Sequence, residues 1–392
     1  MRPKILLIVL VFGVCCCSPK GESSITMVDI GGSKMAVLSL NELKPNVVKI
    51  PLSSLVENCE LVQLETREDT YISPWYTIVT DKYIGVSEDR RAPFKLFDRS
   101  GTFLCNVGSE GRGPGEYFWS PYDAIIDDQN ELVYLAFGMS TNIHVSHTLG
   151  RFVKDIVAPF RLNKAKIFLS DGILTVVHMP FANTRAMALQ FDVNTGAVLN
   201  EVAPLEHLIV QNFDRDIINT RNVLGIFDFS SMNSDTLYHF DVKNNMIRPA
   251  FHITYHSLEE PWMVYFQMTK DLLFTNVSFL EVVPNMIGRK YVPRALVATD
   301  LKNRTSSYIT VVNDYYGNIP VQVSYSTFCY GHYVLNIEPE TLMADIENRL
   351  AESSCTDTDR QILNTTLSTL KEGSNNVVFI GKLKSEIKTK LW

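Results

Sequence analysis

The sequence predicts an all-β protein, a β-propeller closed by its N-terminal strand, and three observations carry that prediction. The first is a hairpin pattern: residues 94–98 alternate apolar and polar, Arg99-Ser100-Gly101 makes a turn, and residues 102–107 resume an extended run. Such alternation around a turn is the mark of a β-hairpin. The second is recurrence. Phe191-Asp192-Val193-Asn194-Thr195-Gly196 repeats the design, residues 240–247 and 299–304 repeat it with Asn near the glycine position, and residues 145–152 fill the gap between the first two. Turns therefore return about every 45 to 60 residues, the period of a propeller blade. The third is length, since 392 residues at about 50 per blade are mostly consumed by one closed ring.

Residues 97–137 read FDRSGTFLCNVGSEGRGPGEYFWSPYDAIIDDQNELVYLAF. They resemble an NHL-type repeat: a hairpin with Asp and Gly, a glycine-rich link, an aromatic, a Pro, an acidic residue and then an Ile/Val-Tyr strand. More closely, Gly111-Arg112-Gly113-Pro114-Gly115-Glu116-Tyr117 resembles the signature of the six-bladed β-propeller lipoproteins common in Bacteroidetes. The resemblance implies six NHL-like blades on a lipid-anchored exported protein and supplies no catalytic set. It spans residues 56–384, and blades four and five depart from it by lacking the glycine-rich link.

At the N-terminus, Arg2 and Lys4 precede an apolar run over residues 5–14 and then Cys15-Cys16-Cys17-Ser18. Ten apolar residues suit a cleaved signal rather than a permanent span. The cysteines resemble a bacterial lipobox. Lipidation at Cys17 puts Val14 at the apolar position and small Cys16 before the cut, with Cys16 as the second choice. Residues 1–16 are thus read as a lipoprotein signal peptide, 17–45 as a polar tether and 46–392 as the propeller. Acyl chains on Cys17 would hold the protein at a membrane surface.

The blades follow in order. Residues 59–64 alternate well and are assigned to complete the last blade beside residues 376–384, because ring closure removes open sheet edges. Blade one covers 76–107, with inner strands at 78–79 and 83–86. Blade two takes strands at 124–126, 132–135, 143–145 and 151–153, and blade three takes 166–169, 173–177, 188–191 and 197–199. Blade four has 223–227 and 236–240, blade five 274–277, 278–283 and 294–299, and blade six starts at 328–330 and 333–337. Residues 339–350 and 357–370 carry Leu342, Ile346, Leu350 and Ile362, Leu363, Leu370 at helical spacing, which predicts a two-helix insert in the last blade, packed against a blade edge.

Composition narrows the function classes. Hydrophobic residues are 46% and charged residues 20% of a chain of formal charge −7. Removing the signal would take that to about −9, and no basic cluster points to nucleic acid. Cys59, Cys105, Cys329 and Cys355 match no CxxC motif. An oxidising compartment permits disulfides, but the first three sit in apolar runs as small hydrophobes, while Cys355 lies in a polar stretch and is expected to be exposed.

The candidate site residues are few. The glycines of 108–117 suggest a phosphate loop, but no GK[ST] ending and no following amphipathic helix support it. Their expected role is to carry the chain between blades, with Arg112 and Glu116 paired or bonded to the loop. Should a ligand bind there, Arg112, Glu116, Tyr117 and Trp119 are the residues to test. His144 and His147, at i,i+3 on a strand, point to opposite faces and make no metal pair. Glu88-Asp89, Asp127-Asp128, Asp214 and Asp216 are the acids from which a Ca site in the central channel would be drawn. Aromatics at Trp75-Tyr76, Tyr117-Phe118-Trp119, Tyr122, Trp262 and Tyr315-Tyr316 are mostly interblade core, with some placed to stack on a sugar or grip a peptide. No G-x-S-x-G elbow is present.

The reading is an outer-membrane lipoprotein, periplasmic or surface-facing, in a Bacteroidetes-like bacterium. Its expected role is a non-catalytic binding or scaffolding module for a glycan, a peptide or an outer-membrane protein partner. The competing reading is a channel-metal enzyme of lactonase-like hydrolase or lyase type.

Overall fold

The computed structural model describes residues 24–88, 92–211, 213, 216–221, 226–231, 235–255, 261–282, 289–324 and 327–387. Six antiparallel sheets form the blades of a β-propeller. Blade 1 is built from Pro74–Val79, Tyr83–Glu88, Phe94–Asp98 and Phe103–Val107. Blade 2 uses Pro121–Asp127, Leu132–Phe137, Met139–His147 and Phe152–Asn163. Blade 3 uses Lys166–Ser170, Ile173–Val177, Ala188–Asp192 and Val198–Val202. Blade 4 begins with Ile217–Asn219, Phe227–Ser231, Thr236–Asp241 and Met246–Thr254. Blade 5 begins with Trp262–Gln267, Leu272–Val282, Arg289–Asp300 and Thr305–Asn313.

Blade 6 closes the ring. Phe328–Cys329, His332–Ile337 and Val377–Lys382 come from the C-terminal part, and Glu60–Gln63 supplies the outer strand in antiparallel register, Val377 opposite Gln63 and Ile380 opposite Glu60. The expected pairing of first and last strands is therefore observed. A buried cluster of Val62, Leu64, Val79, Ile84, Phe97, Val334 and Ile380 fills the seam between blades 6 and 1. Each of the other five interblade seams has an apolar cluster of its own, so the ring is continuously cored. Leaving no unpaired inner edge is what makes such closure stable.

The recurrent turns hold as the sequence pattern implies, through Asp carboxylates that accept backbone N–H groups two to four residues on. Asp98 Oδ1 accepts from Ser100 and Thr102, Asp192 Oδ1 from Asn194 and Thr195, Asp241 from Asn244 and Asp300 from Asn303. This is the local bonding that makes Asp a turn former. Gly101 and Gly196 take positive φ, 88° and 73°, as Asn245 does at 50°. In the fourth turn the left-handed residue is Arg304, at 56°, while Asn303 uses its side chain to bond Asp300.

The structure corrects the expected 17–45 tether from Ile25 onward. Ile25–Ile30 and Ser33–Ser39 form a hairpin, and Ala36 to Ser39 pair in parallel with Phe251 to Thr254, extending blade 4 to six strands. Val47–Pro51 then pairs in parallel with the outer strand of blade 5 before the chain reaches blade 6. Residues 25–63 are therefore a belt along the outer edges of blades 4, 5 and 6. The signal region and Cys17 lie outside the described residues, as do residues 223–225 of the expected 223–227 strand.

Blade 5 differs from expectation in two ways. Trp262–Gln267 is its inner strand, and the two strands expected over 274–283 are, through residue 282, a single one, Leu272–Val282, with a bulge at Val277/Ser278; residue 283 lies outside the described residues. The helices lie where the spacing places them, α1 at Pro339–Ala351 and α2 at Asp357–Thr369. Helix α2 opens with a capping box between Thr356 and Asp359, a reciprocal satisfaction of orphan backbone donors. The insert packs on the edges of blades 5 and 6: Leu342, Ile346 and Leu363 join the cluster of Ile319, Val321 and Phe379. Arg349 bonds Gly317 O at 3.0 Å and Asp359 at 3.1 Å. Cys355, expected to be exposed, is buried in that same cluster because the turn between the helices folds inward.

Candidate functional site at the propeller axis

The first residues of the inner strands of blades 1 to 4 meet around the axis. Arg221, just past the inner strand of blade 4, reaches across to Asp123 on blade 2, with Nη2 2.7 Å from Oδ1. Its guanidinium lies 4.7 Å from the ring centroid of Tyr76 on blade 1, and its carbonyl accepts from Tyr330 N on blade 6. Asp123 uses its other oxygen to accept from Ile167 N on blade 3, at 2.9 Å. Asp123 is fully buried and Arg221 95% buried. The local backbone explains the reach: Arg221 adopts φ +50°, and its N–H is held by Asn219 Oδ1. A buried charge persists only when paired and hydrogen-bonded. This pair draws partners from five blades, although Arg221 Nε itself is buried without a hydrogen-bond partner.

At the end of the blades carrying the 108–119 link lies an aromatic and polar cluster in which Trp75, Tyr122 and Asp216 are half-buried and Lys166 is buried. Trp75 and Tyr122 meet edge to face at 5.2 Å. Lys166 Nζ sits 4.2 Å from the Tyr122 ring centroid and 6.0 Å from that of Trp75, and donates to Tyr122 O at 3.1 Å. Burial pulls the Lys166 ammonium below its ordinary range, with Asp123 and Asp216 opposing that shift. Tyr122 donates its hydroxyl to Asp216 Oδ2, while Asp216 Oδ1 is buried without a hydrogen-bond partner. The cluster thus sets a cation with unused N–H donors and a carboxylate oxygen with an unused acceptor beside a two-ring wall.

The 108–119 link borders this face. Gly108 and Gly115 both hold φ +76°. A Cβ on Gly115 would stand 2.8 Å from Phe152, so the close approach needs glycine. Glu116 accepts from Gly113 N at 2.7 Å, and Gly111 N donates to Tyr117 O. The expected bond of Glu116 to the loop is present. Arg112 is exposed and makes no ion pair with it. Tyr117 is not a surface ligand group: it is 5% exposed, its hydroxyl accepts from Phe94 N and donates to Val107 O, and its ring packs on Phe137. The reason is geometric, since the tight link turns that side chain into the seam between blades 1 and 2. Phe118 and Trp119 stay about half exposed and meet edge to face at 5.2 Å. Met139, at the start of a blade 2 strand, and Phe213, in the connection from blade 3 to blade 4, are also exposed at the same end of the blades.

The acids considered for a channel cation do not converge. Asp127 binds its own turn, accepting from Gln129 and Asn130. Asp128 accepts from Thr80 Oγ1 and Lys82 N, and Glu88 pairs with buried Lys95. Asp89 and Asp214 lie outside the described residues. Among the described residues no three His, Cys, Asp or Glu side chains are grouped to hold a metal, and the axial carboxylate Asp123 is paired with Arg221, so Glu88, Asp123, Asp127 and Asp128 do not fit a channel Ca. On the opposite face a cleft of about 640 Å³ is lined by the 127–130 turn, Asp171, Tyr134 and Tyr330. His144 is buried against Phe137. Sequence reasoning missed Asp123, Lys166 and Arg221, because nothing local marks an ion pair whose members are 98 positions apart.

A family model described as domain of unknown function (DUF4934) matches residues 36–382. The chain belongs to the DUF4934 family. A DUF4934 assignment carries no activity, and a search of curated proteins finds no match. Among solved structures, the chain is similar to a Bacteroides fragilis protein described as exported, at 13% identity and TM-score 0.57, covering 86% of this chain and all of that one. It also matches a DUF4221-family protein of Bacteroides vulgatus at 12% identity and TM-score 0.47, covering 88% and 100%. The RRP9 WD40 repeats match at 8% identity and TM-score 0.46, covering 83% and 98%. At these identities the first likeness speaks for the DUF4934 fold and for nothing finer.

Proposed function

We propose that this protein is an exported, lipid-anchored propeller of the outer membrane that binds glycan as a non-catalytic module. The observation that carries the reading is the Trp75–Tyr122–Lys166–Asp216 cluster. A sugar ring offers an apolar face to stack on the aromatic wall and hydroxyls that both donate and accept. Lys166 has donors to spare and Asp216 Oδ1 lacks a partner. Phe118 and Trp119, half exposed on the link that leads into the strand carrying Tyr122, offer a second aromatic surface at the same end of the blades, with exposed Arg112 on that link. Of the carboxylates that a channel-metal hydrolase or lyase would need, Asp127, Asp128, Glu88 and Asp123 are engaged by turns and ion pairs, which favours binding over catalysis.

The test is a glycan array followed by calorimetry with the mature protein. Binding of a neutral oligosaccharide, weakened at least about tenfold by Lys166→Met and by Trp119→Ala with unchanged thermal stability, supports the reading; one such factor is about 1.4 kcal/mol. Retention of full affinity in both variants, or capture of a peptide or protein in place of any glycan, overturns it.

A further inference from the structure

We infer that the bilayer holding the lipid anchor lies against the corner of the ring where blade 4 meets the aromatic face, with the turns of blade 1 directed away from it. This rests on the proposed lipidation at Cys17. The belt decides the geometry. Ile25–Ile30 is the outermost strand of blade 4, so the chain enters the fold at the rim and not at the axis. That strand runs antiparallel to Ser33–Ser39, which runs parallel to Met246–Thr254. Ile25 therefore sits at the end of the blade where Thr254 leads toward blade 5, the same end as the 108–119 link.

Only seven peptide steps separate Cys17 from Ser24. At about 3.5 Å per residue, full extension spans no more than about 25 Å. Across the ring, the six strands of blade 4 and four of blade 1, at about 4.8 Å per strand, set the two rims roughly 45 Å apart. The linker is shorter than the disc it holds. A tether of 29 residues, as 17–45 would have been, could let the ring turn freely; the observed hairpin removes that freedom.

The experiment uses the mature lipidated protein in phosphatidylethanolamine/phosphatidylglycerol vesicles carrying a rhodamine-headgroup lipid. A fluorophore is placed at Glu42→Cys, exposed near the predicted contact, or at Thr102→Cys, in the far turn of blade 1, with Cys59 and Cys105 replaced by Ala. Energy transfer to the lipid is expected to be severalfold greater from position 42 than from 102. Equal or reversed transfer overturns the orientation. Amide exchange of the unsubstituted protein gives a second reading, with vesicle-dependent protection expected at residues 25–43 and none at 98–107; protection confined to 98–107 overturns it. Mass spectrometry of the N-terminal peptide separates the two claims. Acyl chains on Cys17 with uniform transfer sink the orientation alone, whereas an unacylated N-terminus sinks the anchor and the orientation together.

Discussion

His178 shows how much one buried side chain can report. Its Nε2 bonds Ala186 O at 2.8 Å, so that nitrogen carries the proton, and Nδ1 accepts from Asn163 N at 3.4 Å. Both nitrogens are used by a neutral ring, and burial pushes its pKa down to about 4 from 6.5. Because the folded value lies below the unfolded one, the unfolded chain takes the proton first. The stabilisation is complete above about pH 6.5 and is lost as pH falls toward 4, about 3 kcal/mol in all. Denaturant unfolding across that interval should show His178→Gln losing less stability than the parent, and parallel curves would refute the assignment. Arg221 makes a harsher case. Arg221→Ala leaves Asp123 buried and uncompensated and is expected to cost about 3–5 kcal/mol, while Arg221→Met with Asp123→Leu costs distinctly less. A double variant as unstable as the single would mean that the ion pair is not the source of the loss.

At the level of strands and loops, the belt and the link behave differently. Deleting residues 24–45 removes the blade 4 hairpin but keeps the closing strand, so a folded ring of lower melting temperature is expected. Deletion through residue 63 opens blade 6 and should abolish cooperative unfolding. If both truncations melt alike, the closing role assigned to Glu60–Gln63 is wrong. Gly115→Ala, forced against Phe152 at a positive φ, should cost about 1–3 kcal/mol by thermal melts. The legibility of these elements follows from their range. Asp-capped turns, the alternating closing strand and the helical spacing of Leu342, Ile346 and Leu363 are local patterns. The 25–39 hairpin carried a local sign, the Gly31-Gly32 turn across which its strands pair, that the polar look of the segment masked; its docking on blade 4 was not legible, because that partner is more than 200 positions away. Trp262–Gln267 is buried nearly throughout, so it lacks the alternation that marks a half-exposed strand.

For the molecule as a whole, six seams of comparable make share the burden, and the thiols in them are inert. Burial pushes Cys59 up to about 12, and Cys105 and Cys329 each to about 11, and none of the four body cysteines is in a disulfide. Reaction with a thiol reagent near neutral pH should therefore be slow until guanidinium unfolds the protein, since the thiolate is the reactive form. Rapid native labelling would contradict the seam assignments.

The Arg221–Asp123 crossing has one more consequence. The crossing ties the inner strands of blades 2 and 4 directly, and through Ile167 N and Tyr330 N it also engages blades 3 and 6. A strand displaced at one inner edge would therefore pull on its counterparts across the ring, so the centre of the disc acts as a hub that locks blade positions to one another.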